Sequence, residues 1–400
     1  MKLLAINGGE PVRKNKIYYG HQYIDDADIQ AVVDVLKSDY LTCGPKITEL
    51  ENKLCEITGA KYASAVCNGT AALHIACMAA GIGPGDEVIT TPLTFAASAN
   101  CARYCGAKVV FADVNLDTYN IDPESIRQCI TERTKAVVAV DFTGQAVDAE
   151  AIRDICDEYN LIFIEDAAHS IGTKYKGVPV GSIADITTFS FHPVKTVTAG
   201  EGGAVLTNRD DLQEKIVLAK THGITHDVNQ MKENNPEGPW YYEQVMLGYN
   251  YRMTDFQAAL LLSQLDKLQM FSNRRKEIVQ KYDEAFTNVP GIIIQKEIME
   301  SDTTRHLYII RLDDNKLNCS RRVFFDAMSA EGVQCQVHYI PVYWFPDYEK
   351  LGYRRGLCPN AERIYQSCMS IPLYPAMKDS DVEDVIEVVK KVIECYYNNV

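Results

Sequence analysis

The run Phe189-Ser190-Phe191-His192-Pro193-Val194-Lys195 closes an apolar, strand-like stretch that begins at Ile186, and it leaves a flexible amine at the edge of a buried sheet. Desolvation lowers an amine's pKa and makes it nucleophilic toward a carbonyl. Alone, the pattern fits an ordinary surface lysine better. Other residues in chemically useful positions follow other apolar runs, which is where a parallel sheet gathers its ligands. They are Asn68-Gly69-Thr70-Ala71-Ala72-Leu73, Thr91-Pro92-Leu93-Thr94-Phe95 and Glu165-Asp166-Ala167-Ala168-His169.

Gly69 lets backbone approach a ligand, and the amides of Thr70 and Ala71 at a helix start favour a phosphate. A plain strand-to-helix turn would look the same. Asp166 ends a buried strand, where a carboxylate is costly unless a cation or several donors meet it. A protonated heterocycle nitrogen would serve, and a helix N-cap is the competing role. Ser190 offers a hydroxyl to the same phosphate. Phe95 offers a ring that could stack on a flat cofactor or simply fill a core. A phosphate cradle, a stacking ring, an acid at a ring nitrogen and an amine that forms a Schiff base together describe pyridoxal phosphate chemistry.

The elements that must hold these residues follow from periodicity. Ile29, Val32, Val33 and Leu36 mark an amphipathic helix over 25–37, and Ile47, Leu50, Leu54 and Ile57 mark a second that Gly59 stops. Strands are expected at 62–67, 87–90, 109–114, 136–141 and 161–165. Helices between them are expected near 70–80, 94–104, 123–130 and 149–159, with Asp122-Pro123 as a capped start. Such alternation implies a mostly parallel sheet covered on both faces. Strands at 186–191, 203–207 and 173–175 extend it.

The stretch 226–244 reads as a long polar loop, of the kind usually functional or disordered. Helix at 254–286 leads to a smaller unit with strands at 305–312 and 333–339 and helices at 321–331 and 379–397. The expected fold class is therefore α/β, with a large domain at 1–265 built on a mostly parallel central sheet flanked by helices. A smaller C-terminal α+β domain follows at 266–400.

The 400 residues are too many for one small core, and the composition is that of an ordinary globular protein. A formal charge of −14 disfavours nucleic acid and anionic membranes as partners. The thirteen cysteines include no CxxC pair, which points to reduced thiols, and no histidine spacing suggests a metal site. Met1–Ile6 is too short for a signal peptide and no apolar run reaches the ~20 residues of a membrane span, so a soluble, cytoplasmic protein is expected.

With these motifs in place, the chain resembles the DegT/DnrJ/StrS family of fold-type I aminotransferases, which act on nucleotide-linked keto sugars. The resemblance rests on 68–73, 91–100, 165–170, 190–195, 201–205 and 248–255, with Asp-Ala-Ala-His and Ser-Phe-His-Pro-Val-Lys the most specific. It implies a pyridoxal 5'-phosphate enzyme in which Lys195 is the Schiff-base lysine and proton carrier. Asp166 would keep the pyridine nitrogen protonated, His169 would meet the ring oxygen and Phe95 would stack on the ring. Gly69, Thr70, Ala71 and Ser190 would hold the phosphate. Asn250 matches the position that reaches the neighbouring subunit's phosphate, which implies a homodimer with shared active sites. Tyr19, Arg252 and His338 are substrate-contact candidates.

Residues 189–195, 240–244 and 337–339 most resemble members that aminate C4 of a UDP-linked 4-keto-6-deoxy-N-acetyl-altrosamine type sugar for pseudaminic acid, with L-glutamate as donor. Perosamine- and bacillosamine-type sugars stay open. So do a sugar dehydratase, which carries histidine where Lys195 stands, and a non-catalytic protein that binds the cofactor.

Overall fold

The computed structural model describes residues 3–232 and 238–397. Its centre is a seven-stranded sheet of β1 (Tyr62–Val66), β2 (Glu87–Thr90), β3 (Lys108–Phe111), β4 (Thr134–Val140), β5 (Ile162–Asp166), β6 (Ile186–Ser190) and β7 (Gly203–Thr207). The spatial order is β1-β7-β6-β5-β4-β2-β3. Every neighbouring pair is parallel except those of β7, which runs antiparallel to β1 and β6. The helices are α1 (Asp26–Leu36), α2 (Pro45–Thr58), α3 (Gly69–Ala79), α4 (Ala97–Tyr104), α5 (Pro123–Cys129), α6 (Ala149–Tyr159) and α7 (Asp210–Lys220), followed by α8 (Asp255–Leu265) and α9 (Leu268–Phe286). Gly59 ends α2 at φ 73°, and the Asp122 side chain caps α5 through the amide of Glu124.

The continuous apolar character of the strands has a direct structural cause. Along β4, Ala136 and Val138 belong to one buried cluster while Val137 and Ala139 belong to another. Successive side chains point to opposite faces, and helices cover both, so no position can be polar without cost. Each buried valine here contributes about 1.5–3 kcal/mol of transfer free energy.

The sheet strands fall where the alternation places them, with one exception. Lys174–Tyr175 does not extend the central sheet; it pairs with Val178–Pro179 and Ser301–Asp302 in a separate three-stranded sheet. Its partner lies far along the chain, and a two-residue strand carries no periodicity to reveal it. Helix α4 starts at Ala97 rather than at Thr94, so Thr94 and Phe95 lie in the preceding loop. The helical stretch 254–286 is two helices separated at Asp266–Lys267. Within 226–244 the chain has little regular structure; Glu243–Gln244 pairs with Ile224–Thr225, and residues 233–237 lie outside the described residues.

The C-terminal part holds a three-stranded antiparallel sheet of β8 (Ile292–Ile294), β9 (Tyr308–Leu312) and β10 (Cys368–Ile371), packed with α10 (Arg321–Ala330) and the long α11 (Asp379–Tyr396). Val333–Gln334 is all that is strand within 333–339, and it pairs with Ile17–Tyr18. Leu4 and Ile17 lie in the core of this C-terminal unit. We propose a boundary near 265 for the large unit, with the first residues of the chain packing across it. None of the thirteen cysteines is in a disulfide, and no helix among the described residues is long and apolar enough to cross a membrane.

Candidate active site

The C-terminal ends of β1, β2, β5 and β6 open onto one cavity of about 520 Å³. Strand β7 runs the other way, so its first residues reach the same edge: Gly203 is paired with Ser190 and Val66, and Glu201, just before it, lines the cavity. Tyr19, Gly69, Thr70, Phe95, Asp166, His169, Ser190, Lys195 and His338, all singled out from sequence, share its wall.

Lys195 follows a turn in which its amide donates to the carbonyl of His192 at 2.9 Å. Lys195 is half-buried and lines the cavity. Burial pulls the Lys195 amine down to about 8, against the opposing charge of Asp166. An ordinary lysine is almost entirely protonated near neutrality; this one keeps a usable neutral fraction.

Asp166 ends β5 and is 4% exposed. Its Oδ2 accepts from Ser98 Oγ at 2.6 Å and its Oδ1 from the Ala168 amide at 3.2 Å. No helix starts here, so Asp166 is not an N-cap. Among the described residues it has no salt-bridge partner, and burial pushes its carboxyl up despite the two donors. A buried carboxylate with donors but no ion-pair partner, near the Lys195 amine, is suited to a cationic nitrogen on a ligand.

The phosphate cradle departs in one respect from expectation. The Ala71 amide is not free: it donates to Asn68 Oδ1 at 2.8 Å, because Asn68 caps its own helix, and Ala71 does not line the cavity. The first-turn amides of Gly69 and Thr70 are left for a ligand. A Cβ on Gly69 would sit 2.8 Å from the Ser190 Cβ and 3.0 Å from its Oγ, so the glycine keeps open a space that any side chain would fill.

Phe95 is 63% exposed, its ring available to a ligand, with its centroid 6.4 Å from that of Tyr339. His169 stacks on Tyr339 at an interplanar angle of 23° and lies 4.4 Å, centroid to centroid, from His306. Burial holds His169 and His306 well below the ordinary histidine value and His338 at about 3. Three neutral imidazoles therefore face one amine. His338 Nδ1 is 2.8 Å from Ser370 Oγ, and its ring is 5.3 Å from that of Tyr19.

Besides Ala71, two expected residues do not reach this wall. Asn250 is exposed and bridges to Thr221, and Arg252 is half-buried and bridges to Val66. Ser98, Glu201, His306 and Tyr339 are among the wall residues given no role from the sequence. Ser98 and Glu201 lie in the stretches 91–100 and 201–205 that carry the resemblance; the three-residue spacing from Phe95 could have flagged Ser98, and the reversed direction of β7 explains why Glu201 reaches the wall. His306 and Tyr339 come from loops of the C-terminal unit; Tyr339 lies in the stretch 337–339 that carries the finer resemblance without a role of its own, and His306 had no local signal.

The cradle beside Gly69, the unpaired buried carboxylate of Asp166 and the desolvated amine of Lys195 fit pyridoxal phosphate by geometry. Residues 22–390 match the model of the DegT/DnrJ/EryC1/StrS aminotransferase family. The chain belongs to that family. This sugar aminotransferase is 41% identical over 384 residues to the Bacillus subtilis spore coat polysaccharide biosynthesis protein SpsC, covering 96% of this chain and 98% of the relative. It is 39% identical over 381 residues to the UDP-4-amino-4,6-dideoxy-N-acetyl-beta-L-altrosamine transaminase of Campylobacter jejuni, covering 94% and 98%. Its fold is similar to that of the sugar aminotransferase Spr1654 of Streptococcus pneumoniae in its PMP form, with a TM-score of 0.88 at 32% identity over 95% and 99% of the two chains. Spr1654 also has a PLP form. The fold is that of the type I pyridoxal-phosphate enzymes, and the protein is a pyridoxal-phosphate-dependent aminotransferase acting on nucleotide-linked sugars.

Proposed function

We propose that the enzyme transfers the amino group of L-glutamate to C4 of a UDP-linked 4-keto-6-deoxy sugar of the N-acetyl-altrosamine type, a step of pseudaminic acid biosynthesis. The observation that carries this is the 39% identity, across nearly the whole chain, with a relative named for that product. Bound pyridoxal phosphate supplies the electron sink for moving nitrogen between donor and sugar. Lys195 Nζ would hold the cofactor and would take and return the proton at the substrate carbon, its neutral form present near pH 8. The Asp166 carboxylate would serve the ring nitrogen and keep it protonated. His169 would serve the ring oxygen, Phe95 a ring face, and Ser190 with the Gly69 and Thr70 amides would hold the phosphate.

Tyr19 and His338 line the same cavity and contact the sugar. Asn250, off the wall of its own chain, acts through a homodimer in which it completes the partner's phosphate site, and Arg252 stays a substrate-contact candidate. The working location is the cytoplasm.

A second reading has its own support. The relative at 41% identity is named for spore coat polysaccharide biosynthesis, which is compatible with another 4-keto sugar, of perosamine or bacillosamine type. Purified enzyme assayed with glutamate against UDP-, GDP- and dTDP-linked 4-keto sugars separates the two. The altrosamine-type UDP sugar is expected to lead in kcat/KM by about tenfold or more. A GDP or dTDP sugar in first place, or a bacillosamine-type sugar ahead among the UDP sugars, overturns the reading.

A further inference from the structure

Ser98 Oγ lies 2.6 Å from Asp166 Oδ2 and 2.7 Å from Thr94 Oγ1. A serine hydroxyl has one proton to give. Directed to the carboxylate, it obliges Thr94 to donate to Ser98, so the hydroxyls point in sequence from Thr94 through Ser98 to Asp166. The three side chains are 3%, 2% and 4% exposed, which leaves little room for water to replace a lost donor. The remaining oxygen of Asp166 has only the longer bond from the Ala168 amide among the described residues. The same five-residue segment carries Phe95, so one loop end governs both the ring face and the carboxylate.

We propose that Ser98, backed by Thr94, is a positioning residue for the reaction: its hydrogen bond holds Asp166 ionised and aimed into the cavity, and thereby sets how firmly the cofactor's ring nitrogen keeps its proton. Burial drives Asp166 toward its neutral form, and the Ser98 hydrogen bond is the largest influence opposing it. Without that donor, Asp166 becomes a stronger base and draws the proton away from the ring. The ring then withdraws fewer electrons, and the nitrogen joining it to Lys195 becomes more basic.

The inference rests on Asp166 facing the ring nitrogen, so the test includes that residue. Holoenzymes of Ser98→Ala, Ser98→Thr, Thr94→Val and Asp166→Asn are compared with the parent by three measurements. These are the pH midpoint of the cofactor's visible absorption change, kcat against sugar KM, and thermal melting. Ser98→Ala is expected to raise the midpoint by about one unit and lower kcat about tenfold, with KM unchanged. Ser98→Thr restores both, and Thr94→Val shifts both in the same direction by less. A parent-like midpoint and kcat in Ser98→Ala, alongside altered values in Asp166→Asn, overturn the role of Ser98. Parent-like values in Asp166→Asn overturn the placement of Asp166 itself. Should Ser98→Ala not fold, Thr94→Val decides, an unmoved midpoint counting against the proposal.

Discussion

Gly69 and Ser190 approach so closely that a Cβ on the glycine would stand 2.8 Å from the serine Cβ. Ser190 ends β6 and Gly69 opens α3 just after β1, so neither backbone can retreat without disturbing α3 or the strand pairs Gly203–Ser190 and Gly203–Val66. Gly69→Ala must therefore displace Ser190 into the phosphate space. Overpacking of this kind costs about 1–3 kcal/mol, which predicts a ~10–100-fold loss of pyridoxal phosphate affinity. Equilibrium binding of the cofactor to apoenzyme measures it. Affinity equal to the parent's would mean that the phosphate does not sit between these two residues.

Lys195 leads to a prediction about pH. Its amine is lowered to about 8, chiefly by burial, so the neutral, nucleophilic form appears as pH rises through about 8 instead of through the ordinary lysine range near 10.5. The groups facing it are Asp166, which favours the charged amine, and His169, His306 and His338, which burial keeps neutral. None of the histidines titrates between pH 7 and 9, so a single transition is expected. Stopped-flow capture of pyridoxal phosphate by apoenzyme should accelerate between about pH 7 and 9 and level off above. Continued acceleration toward pH 10.5 would show an amine that is not desolvated.

Much of this site was legible in the sequence because a parallel sheet converts position along the chain into position in space. Asp166, Ser190 and Lys195 each follow an apolar run, and that fact alone brings them to one edge. The same logic could not reach Tyr339 or His306, which lie on loops of the C-terminal unit and arrive by domain packing. The Ala71 amide was misjudged because Asn68, read only as part of a turn, spends its side chain capping α3. The strand at Lys174–Tyr175 was assigned to the wrong sheet because its partner, Ser301–Asp302, is fixed by tertiary contact and not by pattern.

Glu165 carries a stability prediction that is independent of catalysis. It is fully buried beside Asp166, accepts from Thr187 Oγ1 at 3.0 Å, and burial raises its carboxyl to about 7. A carboxyl raised above its unfolded value near 4.5 contributes stability that is complete at low pH and is lost as pH climbs through about 7. Glu165→Gln keeps the shape and removes the titration. The variant should match the parent in denaturant unfolding at about pH 4.5 and exceed it at about pH 8, by roughly 1–3 kcal/mol. A difference that does not change with pH would mean that Glu165 stays ionised in the fold.

Asn250 tests the proposed sharing of sites between subunits. It is exposed, does not line the cavity of its own chain, and follows a segment that exposes Trp240 and Leu247 at 70% and 72%. If Asn250 completes the partner's phosphate site, Lys195→Ala and Asn250→Ala damage different subunits' contributions to one site. A mixed dimer of the two variants then has one site with both defects and one with neither. Each variant alone should be weak or inactive, and mixing them under conditions that allow subunit exchange should restore activity, with one intact site per mixed dimer. If subunit exchange is verified by mass and activity stays at the sum of the separate variants, each subunit holds a complete site and Asn250 serves its own chain.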